Sequence, residues 1–422
     1  MSFNRVAITG IGVLSPIGNT VVETLSALDN ARHGFTLGQW FADYPNDTDG
    51  KYKQEYVVAN VKEFDSEKYF TKKDLRRADR ITQYSVYASM EAIADSGADF
   101  KDIDPFRAGV IIGSGIGGLR TTEEQILAYH QKSPDRVSVF TIPMMIGNLT
   151  AGTVAIRTGF KGVSYTPVTA CASSAHAVGE AFRNIKHGYL DVCIAGGTES
   201  AGIGFAYAAF NNMHAMSRST DPDRASIPFD KERNGFVLAE GAATLILENY
   251  DHAVARGAKI YAEIIGYGAT TDAYHETAPL PDGSGGAAAM RLAVEEGTQL
   301  SGIKTTDVNY INAHGTSTPA NDKAETLAIK SAFGEYAANI AVSSTKSYSG
   351  HMLGAAGAFE TAVTALQIKN GLIYPTIGYK VPDPDCDLDY VTDGIRKTQI
   401  TAALSNSLGF GGHNACLCLK QV

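Results

Sequence analysis

Long apolar runs are missing from this chain of 422 residues; none reaches the roughly eighteen residues that a membrane-spanning helix needs. Cysteine is scarce. The five residues, at 171, 193, 386, 416 and 418, form no CxxC pair and have no histidine at zinc-finger spacing, which excludes a disulfide scaffold and a structural zinc site. Such usage fits a reducing cytoplasm. Positive charge is in deficit: 36 Lys and Arg against 45 Asp and Glu give a net charge of −9. That balance argues against a general nucleic-acid or anionic-membrane binder. The opening MSFNRVAITGIGVLSPIG has one Arg, an early Gly and Pro, and no small-x-small cleavage site. It reads as a first strand and loop rather than a signal peptide.

Glycine, by contrast, is abundant, and its 43 residues punctuate a series of elements. Strand-like RVAITGIG, AGVIIGSG, DVCIAGG, AATLILE, YAEIIGYG, DVNYINAHG, NIAVSSTK and AALSNSLGFGG alternate with helical segments, which predicts an α/β fold. The length exceeds a usual single core, yet no Pro-, Ser- or Gly-rich linker divides it. The halves echo each other instead. AHAVGEAFRNIKHG (Ala175 to Gly188) aligns without gaps on AFETAVTALQIKNG, and Met90 with Gly97 has a counterpart in Met290 with Gly297. The reading is a duplicated α/β unit, residues 1–259 and 260–422, packed in layers with loops of both halves facing the site.

VTACASSAHAVGEAFRNIKHG places Cys171 among small residues where a β-type run gives way to a helix. Unpaired N–H groups and the helix dipole there favour an anion, so the sequence predicts an acidic, nucleophilic thiol with room for a bulky substrate. The second half supplies partners. NAHGTSTPANDKAE puts His314 in a loop with Thr316 and Thr318, SSTKSYSGHMLGAAGAFE carries Lys346, His351 and Glu360, and SNSLGFGGHN wraps Phe410 in glycines. One thiol, two histidines and a mobile glycine segment suit acyl transfer, with backbone N–H groups for an oxyanion.

TACASSAH, PFDKERNGFVLAEGAATLILE, NAHGTSTPANDKAE, KSYSGHMLGAAGAFE and NSLGFGGHN together resemble the signature blocks of the elongating β-ketoacyl-[acyl-carrier-protein] synthases, nearest to type II, in the thiolase superfamily. The resemblance implies a thiolase-like fold in a layered α-β-α-β-α arrangement and a homodimer. It also implies decarboxylative condensation of an acyl chain with malonyl-carrier protein, and His351, where initiating synthases have Asn, favours elongation. By resemblance Cys171 is the nucleophile and His314 and His351 hold the enolate. Lys346 and Glu360 form an ordering ion pair, and the N–H groups of Cys171 and Phe410 make the oxyanion hole. Gly409 and Gly411 flank Phe410 in a gate, Thr316 and Thr318 meet the pantetheine, and Ile116 lines the acyl pocket. No cofactor or catalytic metal is needed beyond the carrier's phosphopantetheine, although a structural monovalent cation has a place near Glu360. Tyr348, Ser349, Ala172 and His413 depart from the commoner residues without removing a catalytic group.

TKKDLRRADRITQY is a local positive excess that reads as helical, with Lys73 and Arg77 on one face. The resemblance assigns both, with Arg218, to docking of an acidic acyl carrier protein. Two other readings compete. GSGIGG matches GxGxxG at Gly113, Gly115 and Gly118, the mark of a dinucleotide-binding dehydrogenase, though no acidic strand end follows about twenty residues later. A polyketide ketosynthase would share every catalytic residue.

Overall fold

Ten strands form the central sheet of the computed structural model, which describes every residue except 1, 2, 42, 43, 45, 46, 48 and 49. They are β1 (Val6–Leu14), β2 (Ala108–Gly113), β3 (Ser164–Tyr165), β4 (Val192–Glu199), β5 (Gly241–Asn249), β6 (Ala262–Thr271), β7 (Val308–Asn312), β8 (Ala341–Ser343), β9 (Ala402–Gly409) and β10 (His413–Lys420). Six helices pack on them: α1 (Arg80–Ser96), α2 (Leu149–Thr158), α3 (Ser173–Lys186), α4 (Ser284–Ser301), α5 (Pro319–Phe333) and α6 (Ala356–Asn370). All eight strand-like segments of the sequence are strands here.

The strand order is β8-β7-β9-β10-β6-β1-β5-β4-β2-β3. Within it, β1-β5-β4-β2-β3 and β6-β10-β9-β7-β8 repeat one topology, each with two antiparallel pairings followed by two parallel ones. The two halves meet where β1 and β6 pair antiparallel from Val6–Ile264 to Ile8–Ala262. α1 covers one face of the first half and α4 the corresponding face of the second. Between the halves, α3 and α6 touch each other and strands of both. This is the layered α-β-α-β-α, thiolase-like arrangement. α6 is buried from Ala356 to Ile368, which explains why its sequence is mostly apolar or small all round, with Glu360 and Gln367 as buried polar exceptions.

Gly97 ends α1, whereas its counterpart Gly297 lies inside α4, close to Ile265 and Ile303, and that helix stops at Gly302. One local expectation fails: Lys73 and Arg77 do not share one helix. A Thr71–Asp74 capping box opens the helix Lys72–Leu75, which ends at Arg76, and Asp79 then starts α1 by accepting from the Ile81 N–H. Two helix starts, at Thr71 and Asp79, divide what composition alone reads as one charged helix.

Candidate active site

Cys171 occupies the tight turn Ala170–Ala172 that leads into α3. Ala170 adopts φ +49°, a conformation that non-glycine residues rarely take, and turns the chain sharply there. Gly409, at the end of β9, lies against this turn; a Cβ there would come within 2.7 Å of the Thr169 carbonyl oxygen. The thiol is 7% exposed and lines a cavity of about 500 Å³. Burial pushes it up to about 12, against the opposing pulls of Lys346 and of a hydrogen bond from the Phe410 N–H. Loss of water therefore opposes the acidic thiol expected from the helix start.

His351 brings its Nε2 to 2.9 Å from Cys171 Sγ. Its backbone is fixed on both sides, its N–H donating to Val237 O and its carbonyl accepting from Ala239 N. His314 follows β7, and its ring stands edge-on to that of His351 with centroids 5.4 Å apart. The ligating atoms of Cys171, His314 and His351 all lie within 4.8 Å of one another. Burial, then Lys346, drives both imidazoles well below their ordinary range, so both are neutral at pH 7.

Lys346 fixes one tautomer. Its ammonium donates to the Glu360 carboxylate, to His314 O at 2.6 Å, and to His314 Nδ1 at 3.3 Å. An ammonium can only donate, so Nδ1 accepts and the ring proton sits on Nε2. His351 differs, because its buried Nδ1 has no hydrogen-bond partner and its tautomer is free to change. Glu325, which the sequence reading left unassigned, accepts from the N–H groups of His314 and Gly315, each at 2.8 Å. Its position eleven residues after His314, one face into α5, was the available signal.

Thr316 and Thr318 line the cavity, their hydroxyls 2.9 Å apart. Ile116, Phe210, Met213, Phe236 and Leu353 add an apolar wall, of which the sequence reading found only Ile116. Ile116 is 41% exposed, so it is no core isoleucine. Gly409 and His413 pair across the β9–β10 hairpin, with Phe410, Gly411 and Gly412 as its turn. Gly411 holds φ +85° and donates its N–H to Glu276 O. Lys73, Arg77 and Arg218 are all exposed; Arg77 lies over the Phe140 ring and Arg218 bonds Asn211. The GxGxxG segment holds no room for a pyrophosphate. The N–H groups of Gly115 and Ile116 already bind the Glu199 carboxylate.

Comparison with known proteins agrees with this geometry. Family models match residues 3–253, as the beta-ketoacyl synthase N-terminal domain, and 261–380, as its C-terminal domain. A 3-oxoacyl-[acyl-carrier-protein] synthase 2 of Synechocystis is 46% identical over 418 residues, 99% of this chain and 98% of that one. The protein of the same name from Staphylococcus aureus is 46% identical over 417 residues, again 99% and 98%. Among solved structures, a beta-ketoacyl synthase from Burkholderia phymatum superimposes with TM-score 0.88 at 34% identity, covering 99% of this chain and all of that one. A type II polyketide synthase acyl-carrier protein in complex with its ketosynthase gives TM-score 0.90 at 33% identity over the whole of both chains. Sequence, fold and site converge, and the chain belongs to the beta-ketoacyl synthase family.

Proposed function

We propose that this chain extends acyl chains as a type II 3-oxoacyl-[acyl-carrier-protein] synthase, with Cys171 as nucleophile and His314 and His351 as enolate donors. The condensing activity follows from the family and from relatives of that name at 46% identity over nearly the full chain. The observation that carries the residue roles is the buried Cys171–His351 contact of 2.9 Å beside a His314 ring whose proton Lys346 directs to Nε2.

The thiol proton passes to His351 Nε2 as sulfur attacks the acyl thioester, and leaves with the carrier's pantetheine thiolate. The N–H groups of Cys171 and Phe410 hold the oxyanion; the second already points at the sulfur. Malonyl thioester then enters past Thr316 and Thr318. Loss of CO2 leaves an enolate whose oxygen accepts from Nε2–H of both histidines, and its carbon attacks the acyl-Cys171 carbonyl. The product is a 3-oxoacyl thioester two carbons longer, and Cys171 leaves as a thiolate that takes up one proton from solvent to restore the thiol. Burial raises the Glu360 carboxyl, and Lys346 beside it opposes that rise. Removing either partner leaves an uncompensated buried charge.

In this reading the catalytic halves are residues 1–259 and 260–422, with the thiol from the first and both histidines from the second. The carrier docks on Lys73 and Arg77, with Arg218 beyond them, and the hairpin turn around Phe410 gates entry. A homodimer is supported by the exposed, apolar Val139, Ile142, Ile156 and Val168. A monovalent cation near Glu360 is supported by Glu360 Oε2 and Ser405 Oγ, both buried without hydrogen-bond partners among the described residues. Five free, buried cysteines suit a reducing cytoplasm. The polyketide reading has solved neighbours at 32–33% identity in its favour, and the 46% relatives outweigh them.

The test is condensation with acyl- and malonyl-carrier protein and no reductase present. One extension by two carbons, abolished in Cys171→Ala with malonyl decarboxylation retained, is expected. Condensation by Cys171→Ala would overturn the assignment, and repeated extension would transfer it to polyketide synthesis.

A further inference from the structure

Glu199 ends β4 completely buried, and no cation pairs with it among the described residues. Its carboxylate instead accepts four hydrogen bonds: from Gly115 N at 2.7 Å, Gly354 N at 3.0 Å, Ser114 Oγ at 3.1 Å and Ile116 N at 3.3 Å. Ser114 in turn accepts from Gly117 N at 3.1 Å. The donors come from two segments far apart in sequence, Ser114–Ile116 and the turn Leu353–Ala355, which begins two residues after His351. Leu353 itself is held at φ +46°. Each segment places one apolar side chain, Ile116 or Leu353, in the wall of the cavity beside Cys171.

We propose that Glu199 is a positioning residue that sets the separation of Ile116 and Leu353 and thereby the length of acyl chain the thiol accepts. This rests on the reading of that wall as the acyl pocket. The group must accept at both oxygens, because every neighbour that reaches it donates. A carboxylate satisfies all four donors; an amide would aim its own N–H groups at two of them. The charge has a second consequence. Glu199 is among the groups that raise the Cys171 thiol, so removing it favours the thiolate. Burial raises the Glu199 carboxyl to about 7 despite its four hydrogen bonds, so its charge acts on Cys171 above that pH. A role confined to packing would not alter the protonation of a neighbouring thiol.

Glu199→Gln, Ser114→Ala and Ile116→Phe would be compared with wild type by single-turnover acylation from acyl carriers of four to sixteen carbons. Malonyl decarboxylation and the pH profile of Cys171 alkylation would be followed alongside. For Glu199→Gln we expect acylation by the longest chains to fall about tenfold more than by the shortest, decarboxylation to stay within about twofold, and the alkylation profile to move to lower pH. Ser114→Ala, which removes one donor and keeps the fold safer, should show the same length bias more weakly. Ile116→Phe, by filling the wall directly, should reject long chains. An unchanged length profile in both Glu199→Gln and Ser114→Ala, with Ile116→Phe still selective, would overturn the proposal. A length profile unchanged in all three variants, Ile116→Phe included, would instead overturn the acyl-pocket reading on which it rests.

Discussion

At the scale of single residues, the neutral state of the Cys171–His351 pair is the feature with most consequence. Burial disfavours the thiolate, so the thiolate fraction stays small at neutral pH and rises about tenfold with each pH unit. Alkylation of Cys171 by iodoacetamide should therefore keep climbing from pH 7 to pH 9. A plateau with a midpoint below 7 would mean a preformed thiolate–imidazolium pair. Cys171 should nonetheless outpace the other four cysteines, all at most 3% exposed and none on the cavity wall. The histidines separate by step. Either one replaced by Ala should cost malonyl decarboxylation on the order of a hundredfold, since in the proposed mechanism each gives one N–H to the enolate. Only His351→Ala should also slow acylation, because only His351 contacts the thiol, 2.9 Å away. Labelled acyl carrier in single-turnover acylation distinguishes them, and equal, total loss of acylation in both variants would contradict the division.

At the scale of elements, the β9–β10 hairpin and the basic turn before α1 carry the predictions. Gly411 sits at φ +85°, and a Cβ there would lie 2.8 Å from His413 Nε2, so Gly411→Val is strained and sterically blocked. Acylation by long chains should slow while short ones change little; unchanged rates across lengths would mark the hairpin as a turn with no gating role. Lys73 lies in the short helix Lys72–Leu75 and Arg77 just beyond its end, and both remain exposed. Lys73→Glu with Arg77→Glu should raise KM for acyl-carrier substrates and flatten its salt dependence, because surface charge acts on encounter and is screened over about 10 Å at 0.1 M salt. An acyl-pantetheine thioester without carrier should react at the wild-type rate. If both substrates suffer alike, the turn is structural and docking lies elsewhere.

At the scale of the whole molecule, the duplication was legible because strand runs and glycine turns recur in the same order in both halves. Even the three-residue β8 shows in NIAVSSTK. Local periodicity sufficed for elements that pack with their neighbours in sequence. It failed where tertiary contacts decide. The acidity of Cys171 depends on walls drawn from both halves, and Glu199 meets donors 84 and 155 residues away. Likewise the GxGxxG of the first half has the spacing of a phosphate loop, and only the fold shows that a carboxylate of the same chain fills it. The central claim is that the first half's thiol carries the acyl chain while the second half's histidines process the extender. Intact-mass spectrometry with peptide mapping, after exposure to acyl carriers of graded length, tests it most directly. The account predicts one acyl group per chain, located on Cys171, lost on adding malonyl-carrier protein to wild type and retained in His314→Ala. Acylation at another residue, or an adduct on Cys171 that malonyl-carrier protein does not discharge, would contradict it.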